Sequence, residues 1–180
     1  VPGHDGSRYI LQIRCVKSSI PFLFFHSEKN SANIIIALNK FTIFVTQLRK
    51  KLKQFYVVKR LKGDDEFNSS PVRNWCADHG VLLTTVTEYH EGATFVEAGW
   101  RDLINGMRAE LMVYNAPKKM WPDAMVCYRN KVMVTRPQQH LNNITSYELL
   151  FGKPPSSHLL SLLSVFWSSA YSFIDITQRG

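Results

Sequence analysis

Acidic side chains are scarce in the first third of this 180-residue chain. Residues 1–63 carry 12 Lys and Arg against 2 acids, whereas residues 64–180 carry 10 against 12, so the whole surplus behind the net charge of +8 lies before Asp64. Cysteine is scarce too. Cys15, Cys76 and Cys127 are odd in number, far apart and without CxxC spacing, which excludes a disulfide framework or a zinc knuckle and fits buried thiols in a reducing, intracellular compartment. Long apolar runs are missing: Ile20 to Phe25 and Ile34 to Leu38 are the longest, far short of the roughly 20 residues that span a bilayer, so no membrane partner is expected. No charged-then-apolar leader is visible and the first residue is Val, which reads as a piece of something longer. Internal repeats and low-complexity runs are absent, although 156–169 is rich in Ser and Leu. What remains, at 45% hydrophobic content, is enough for one domain with a real core and hardly enough for two.

The elements alternate. Tyr9 to Val16 and Ile20 to Phe25 read as strands. Asn30-Ser31 offers an N-cap for a helix to about Lys53, with Ile34, Ile35, Leu38, Phe41, Val45 and Leu48 on one face. A strand follows over Tyr56 to Leu61, ending in the Gly63-Asp64 turn. Ser70 caps a helix with Pro71 at its first position, which stops at His79-Gly80. Val81 to Thr87 is a β-branched strand, and from Thr94 a long helix carries Val96, Trp100, Leu103, Ile104, Met107 and Leu111 at helical spacing. Ala116-Pro117 breaks it. Another helix spans about Lys119 to Lys131, and a short one Thr145 to Phe151. Strands, then alternation, then helices predict an α/β layered domain.

The chemistry is carried by two carboxylates, Asp64 at a strand end and Glu97 in the first turn of a helix. Brought together, such a pair can hold a divalent metal, the means by which proteins cut and join phosphodiesters; the plainer reading is two ordinary surface acids. Ahead of Asp64 stand Arg49-Lys50-Lys51-Leu52-Lys53 and Lys59-Arg60-Leu61-Lys62, with Phe55 and Tyr56 between them. Basic residues interleaved with aromatics suit a phosphate backbone, and they equally suit a solvated helix end and edge strand. His26, His90, His140 and His158 have no ligand-like spacing and read as surface or turn residues, while Trp75, Trp100 and Trp121 read as core by helical phase.

These residues carry a family resemblance along nearly the whole chain. Val58-Lys59-Arg60-Leu61-Lys62-Gly63-Asp64 is similar to the strand that delivers the second catalytic Asp in integrase cores of copia-type LTR retrotransposons, and Asp65-Glu66-Phe67 resembles the end of the turn after it. Trp75 to Val81, Val96 to Leu103, Ala116 to Ala124, Tyr128-Arg129-Asn130 with Arg136-Pro137, and Thr145 to Pro155 resemble further family segments in the right order, with His158-Leu159 and Phe166 after them. Asp64 and Glu97 enclose 32 residues, three fewer than the family's interval, and the shortfall falls in two loops, where deletions leave flanking elements in place.

The resemblance implies a ribonuclease H-like α/β fold: a mixed central sheet flanked by helices over 1–134, with an irregular helical C-terminal extension over 135–180. It implies DNA integration, by trimming of 3' ends and strand transfer on Mg2+ or Mn2+, with DNA as partner, a homo-oligomer, no small-molecule substrate, and the nucleus as the working compartment. Asp64 and Glu97 would be the second and third catalytic ligands, and Lys59, Arg60, Lys62 and Arg101 the backbone contacts. His4-Asp5-Gly6-Ser7-Arg8-Tyr9 stands where the family has Asp-Asp-x-Ser-Arg-Tyr. On this alignment His4 replaces the first catalytic Asp, Asp5 is the possible substitute, and imidazole suits Mg2+ poorly. Catalysis is expected to be absent or feeble. The alternatives are a DNA-binding remnant without chemistry and a gene fragment without function.

Overall fold

A computed structural model describes residues 1–53, 57–85, 91–161 and 163, with 91–94 described in backbone only. The chain opens with an antiparallel hairpin, β1 (Tyr9–Arg14) and β2 (Pro21–His26), in register Tyr9 with His26 and Arg14 with Pro21. Helix α1 (Ser31–Leu52) follows. Its first turn is closed by Asn30, whose side chain accepts from the Asn33 backbone N–H at 2.9 Å, satisfying one of the amides a helix start leaves bare. Arg49, Lys50 and Lys51 occupy its last turn, where cations meet the negative end of the helix dipole.

β3 (Arg60–Gly63) starts later than the sequence predicts, with Val57 to Lys59 outside the strand; Gln54, Phe55 and Tyr56 lie outside the described residues. A 3-10 turn, Asp65–Asn68, leads to α2 (Ser70–Asp78). Pro71 sits in its first turn as expected, and the N-cap falls on Ser69, one residue before the expected Ser70. Gly80, at φ 62°, turns the chain into β4 (Leu82–Thr85), which pairs parallel with β3, Arg60 opposite Leu82. The last residues of the predicted strand, Val86 and Thr87, are outside the described set.

α3 (Glu91–Val113) and α4 (Trp121–Thr135) form a packed pair. α3 begins three residues before the predicted Thr94, which moves Glu97 from the first turn into the second. A two-residue antiparallel pair, β5 (Pro137–Gln138) and β6 (Ile144–Thr145), precedes α5 (Ser146–Phe151). Thr145 and Glu148 close α5 with a reciprocal capping box. α6 (Ser157–Ser161) ends the described elements.

One core joins the two halves of the sheet system. Ile13 from β1, Leu38 and Phe41 from α1, Leu61 from β3, Val72, Trp75 and Cys76 from α2, and Val81 pack as a single buried cluster. The three cysteines are free thiols, Cys76 among them buried. Trp75 is core, its indole N–H donating to Asn39 at 2.7 Å. Trp100 and Trp121 are half-buried, Trp121 lying edge-on to Phe25 at 5.6 Å. By length and composition α1 is long and apolar enough to cross a membrane, and its buried residues, Ala37, Leu38 and Phe41, place one face on the core.

The sheet departs from expectation. Instead of one mixed central sheet, the described residues carry an antiparallel pair and a parallel pair that do not hydrogen-bond to each other. Burial of side chains against α1 and α2 needs no ladder between the pairs, so the core closes although the sheet does not.

Leu38 is 1% exposed at the centre of this cluster. Leu38→Ala is expected to cost about 2–5 kcal/mol, read as a fall in the urea midpoint without a change in slope.

Candidate nucleic-acid and metal site

β3 alternates faces. Leu61 points into the core, while Arg60 and Lys62 are exposed. Period-two geometry carries that outer face on to Asp64, so two cations and a carboxylate follow one another on one side of the chain. Gly63 between them is required by packing, because a Cβ there would meet the Phe67 ring at 2.6 Å. Phe67 is set by the 3-10 turn, whose first bond runs from its N–H to the Asp64 carbonyl at 3.1 Å. Asp64 is the N-cap of that turn, yet its side chain makes no capping bond.

Asp64 and Glu97 line one cavity of about 1630 Å3, together with Lys59, Arg60 and Lys62. Glu97 is exposed on α3. Beyond it, Gly99 admits the Arg14 guanidinium from β1, a place that a Cβ would fill. Arg14 lies 4.4 Å over the Phe95 ring and donates to the Phe95 carbonyl at 3.5 Å. Burial lowers its pKa, partly countered by Asp102. This contact ties β1 to the turn of α3 that carries Glu97. The Gly in mid-helix was the one sequence signal for it.

Asp102 is held in turn by Arg136 at 2.9 Å and by the Tyr128 hydroxyl at 3.0 Å, with Arg136 also donating to Tyr128 at 2.7 Å. The network fixes α3 against α4 below Glu97. Lys131 and Glu110 add a half-buried ion pair between the same helices, at 2.8 Å.

His4 and Asp5 are placed elsewhere. His4 Nδ1 lies 3.1 Å from Asp123, and its backbone N–H donates to the Lys119 carbonyl at 2.8 Å, which pins the opening turn to the start of α4. Asp5 accepts from the Ser7 N–H at 2.9 Å and from the Ser7 hydroxyl at 2.8 Å. The Ser7 N–H, above all, holds its pKa below the ordinary value. Neither residue lines the cavity that Asp64 and Glu97 share, and the exposed Arg101 does not line it either. Among the remaining histidines, His26 lines the cavity wall, with its pKa lowered by burial. His140 shares a 2.7 Å hydrogen bond with Ser19, and His158 is exposed; His90 lies outside the described residues.

Asp64 has a raised pKa, because burial penalises its charge and Glu66 adds like-charge repulsion. Glu66 is itself paired with Lys29. Carboxylate oxygens are the hard donors that Mg2+ and Mn2+ take, so Asp64 and Glu97 fit such an ion in kind. In number they fit only an ion that completes its shell with water and phosphate oxygens, since among the described residues no group of three or more His, Cys, Asp or Glu could hold a metal.

Solved structures that match this arrangement of elements include retroviral integrase cores. The catalytic core of BIV integrase superposes with a TM-score of 0.55 at 17% identity, covering 79% of this chain and 91% of that one. The HTLV-2 integrase catalytic core in complex with magnesium matches with a TM-score of 0.52 at 12% identity, covering 78% and 90%. A chain of the simian T-cell lymphotropic virus intasome, in complex with a PP2A regulatory subunit, gives 0.56 at 14%, covering 82% of this chain and 54% of that one. The chain has the integrase catalytic-core fold. That fold is ribonuclease H-like α/β in outline, whereas the single mixed central sheet that the resemblance implied is not formed among the described residues. No family model and no curated protein matches the sequence.

Within this integrase-like core Asp64 binds its proton more tightly than in the unfolded chain. Between the unfolded and folded pKa values the native state therefore holds more protons, and stability falls as pH rises through that interval. Asp64→Asn is expected to raise the melting temperature at pH 7 by about 1–3 °C, a gain reduced by solvent screening, and to lose the gain when the wild-type carboxyl is protonated. Melting curves at neutral pH and near pH 3 check both halves.

Proposed function

We propose that this chain is a DNA-binding domain of integrase descent, from a copia-type retrotransposon, whose strand-transfer chemistry is weak or lost. The observation that carries the reading is that Asp64 and Glu97 line one cavity together with Lys59, Arg60 and Lys62. Carboxylates flanked by cations on a strand face suit a phosphodiester backbone: the cations neutralise phosphates, and the acids stand where the backbone would be led.

In this reading Arg60 and Lys62 bind successive phosphates, Lys59 adds to the field, and Arg101 extends it from α3. Asp64 and Glu97 would hold Mg2+ or Mn2+, as supported by the magnesium complex of the HTLV-2 core; such an ion, when bound, supplies charge neutralisation at phosphate and activation of water or a 3'-hydroxyl. Arg14, held in the Gly99 notch, positions the α3 turn that presents Glu97. In this proposal residues 1–134 are the core and 135–180 an extension; among the described residues α5 packs on α4. A homo-oligomer is part of the proposal, supported by the dimeric and trimeric forms of the HTLV-2 core.

Feebleness of the reaction rests on the start of the chain. His4 is engaged with Asp123, and Asp5 with Ser7, so neither supplies a third carboxylate beside Asp64. A strand-transfer assay in Mn2+ is expected to give trace product from the wild type and none from Glu97→Gln. Equal product from both would remove chemistry from this site and leave the binding function alone.

Binding is tested by salt. Affinity for duplex DNA should fall steeply as salt rises, and replacing Lys59, Arg60 and Lys62 by Ala should flatten the log–log slope by roughly 2–3. A flat response in the wild type would overturn the assignment of β3 as a DNA face.

A further inference from the structure

Lys29 stands where a helix start least favours a cation. It directly precedes Asn30, the N-cap of α1, and no acid occupies the first turn of that helix, so its charge meets the positive end of the helix dipole without compensation there. The loop that carries it is closed. Asn30 accepts from the Asn33 N–H at 2.9 Å, and the Asn33 side chain donates to the Glu28 carbonyl at 2.8 Å. With its backbone held between these bonds, Lys29 sends its side chain across to the 3-10 turn after β3 and pairs with Glu66. That is the turn whose N-cap is Asp64, and Lys29, Glu66 and Asp64 line the same cavity. Burial and the Glu66 charge raise the Asp64 pKa, and the Lys29 ammonium pulls against them. Both members of the ion pair are open to solvent, with side chains 59% and 47% exposed, so the pair parts readily. An ammonium carries three donors on a flexible stem, enough to hold Glu66 and reach a phosphate oxygen as well.

We propose that Lys29 is the resident cation of the Asp64 site: its ammonium compensates the carboxylates in place of a divalent ion and is itself a contact for DNA phosphate. The second half rests on the reading of this cavity as a DNA face. A divalent ion and an ammonium repel, so Mn2+ or Mg2+ binds beside Asp64 only against the field of Lys29. Phosphate, by contrast, meets a cation already in place and is held without metal. The lysine thereby decides which charge the carboxylates serve, and it does so from a loop outside the basic run of β3.

The test uses the full chain and two probes: Mn2+ without DNA, followed by electron paramagnetic resonance, and a labelled DNA duplex in EDTA, followed by anisotropy. Lys29→Met removes the charge and keeps the stem, and is expected to bind Mn2+ roughly three- to tenfold more tightly than the wild type at low ionic strength. Lys29→Arg keeps the charge and should match the wild type. Adding Asp64→Asn to Lys29→Met should abolish the gain, which ties it to this site. In EDTA the wild type is expected to hold the duplex and Lys29→Met to bind it at least about threefold more weakly, with Mn2+ restoring the loss. Equal Mn2+ affinity in the wild type and Lys29→Met, a gain that survives Asp64→Asn, or no Mn2+ uptake by either protein would overturn the resident cation. Equal duplex binding in EDTA by the wild type and Lys29→Met would overturn the phosphate contact. Duplex binding by none of the variants would overturn that contact together with the DNA reading, whereas the Mn2+ comparison decides the resident cation by itself.

Discussion

Backbone groups along one edge of β1 and one edge of β3 have no strand partner among the described residues, and the position of everything near the carboxylates follows from that. A strand edge cannot be sealed by apolar side chains, since amides and carbonyls keep their demand for hydrogen bonds. The edges instead border open volume, and the two strand pairs are held at a distance by α1 and α2, whose side chains join Ile13 on one pair to Leu61 on the other and to Val81 just before β4. Hydrophobic burial fixes the pairs, and the missing ladder leaves a cavity between them. Asp64 stands at the end of β3 where this cavity begins, and its raised pKa follows from lost hydration there and from Glu66 beside it.

The opposite wall depends on a second contact. Without a ladder between the pairs, β1 would have no tie to α3 except through side chains, and Arg14 provides one by crossing α3 at Gly99 under the Phe95 ring. A guanidinium loses much of its hydration in that position, as its lowered pKa records, and the ring face, the Phe95 carbonyl and the field of Asp102 offset part of the cost. Asp102 is thereby shared between Arg14 at long range and Arg136 and Tyr128 by hydrogen bonds. The helix that carries Glu97 is held from both sides by charge, whereas the strand that carries Asp64 is held by apolar packing.

Features governed by local chemistry were legible in the sequence. Asn30 caps α1, Pro71 opens α2 and Gly80 turns into β4 at positive φ, as their residue types dictate, whereas Thr145, read as the first residue of α5, is its N-cap, closed with Glu148. The elements on either side of Asp64 and Glu97 were legible for the same reason, and those two residues do reach one cavity. Pairing between distant strands was not legible, because the apolar pattern of β1 and β3 is the same whether a strand lies between them or a void. The start of α3 was missed by one turn because Glu91 and Gly92 offer no apolar phase to reveal it. The Arg14–Gly99 contact joins residues too far apart for any local pattern to link.

His4 shows how an alignment and a geometry can assign one residue two meanings. By position in the motif it replaces a catalytic acid; by contact it is the side chain that fastens the first turn to Asp123 in the opening turn of α4. The contact also accounts for Asp5. With its two oxygens engaged by Ser7 and the backbone on either side fixed by bonds from Gly3 to Ser7 and from His4 to Lys119, moving Asp5 toward Asp64 would break a closed turn and leave the buried Ser7 hydroxyl and N–H without their acceptor. That cost falls on the turn before any metal could repay it, so a third ligand is not to be had by a side-chain rotation. It would have to arrive on additional backbone, and the place where backbone can enter beside Asp64 is the gap between β1 and β3.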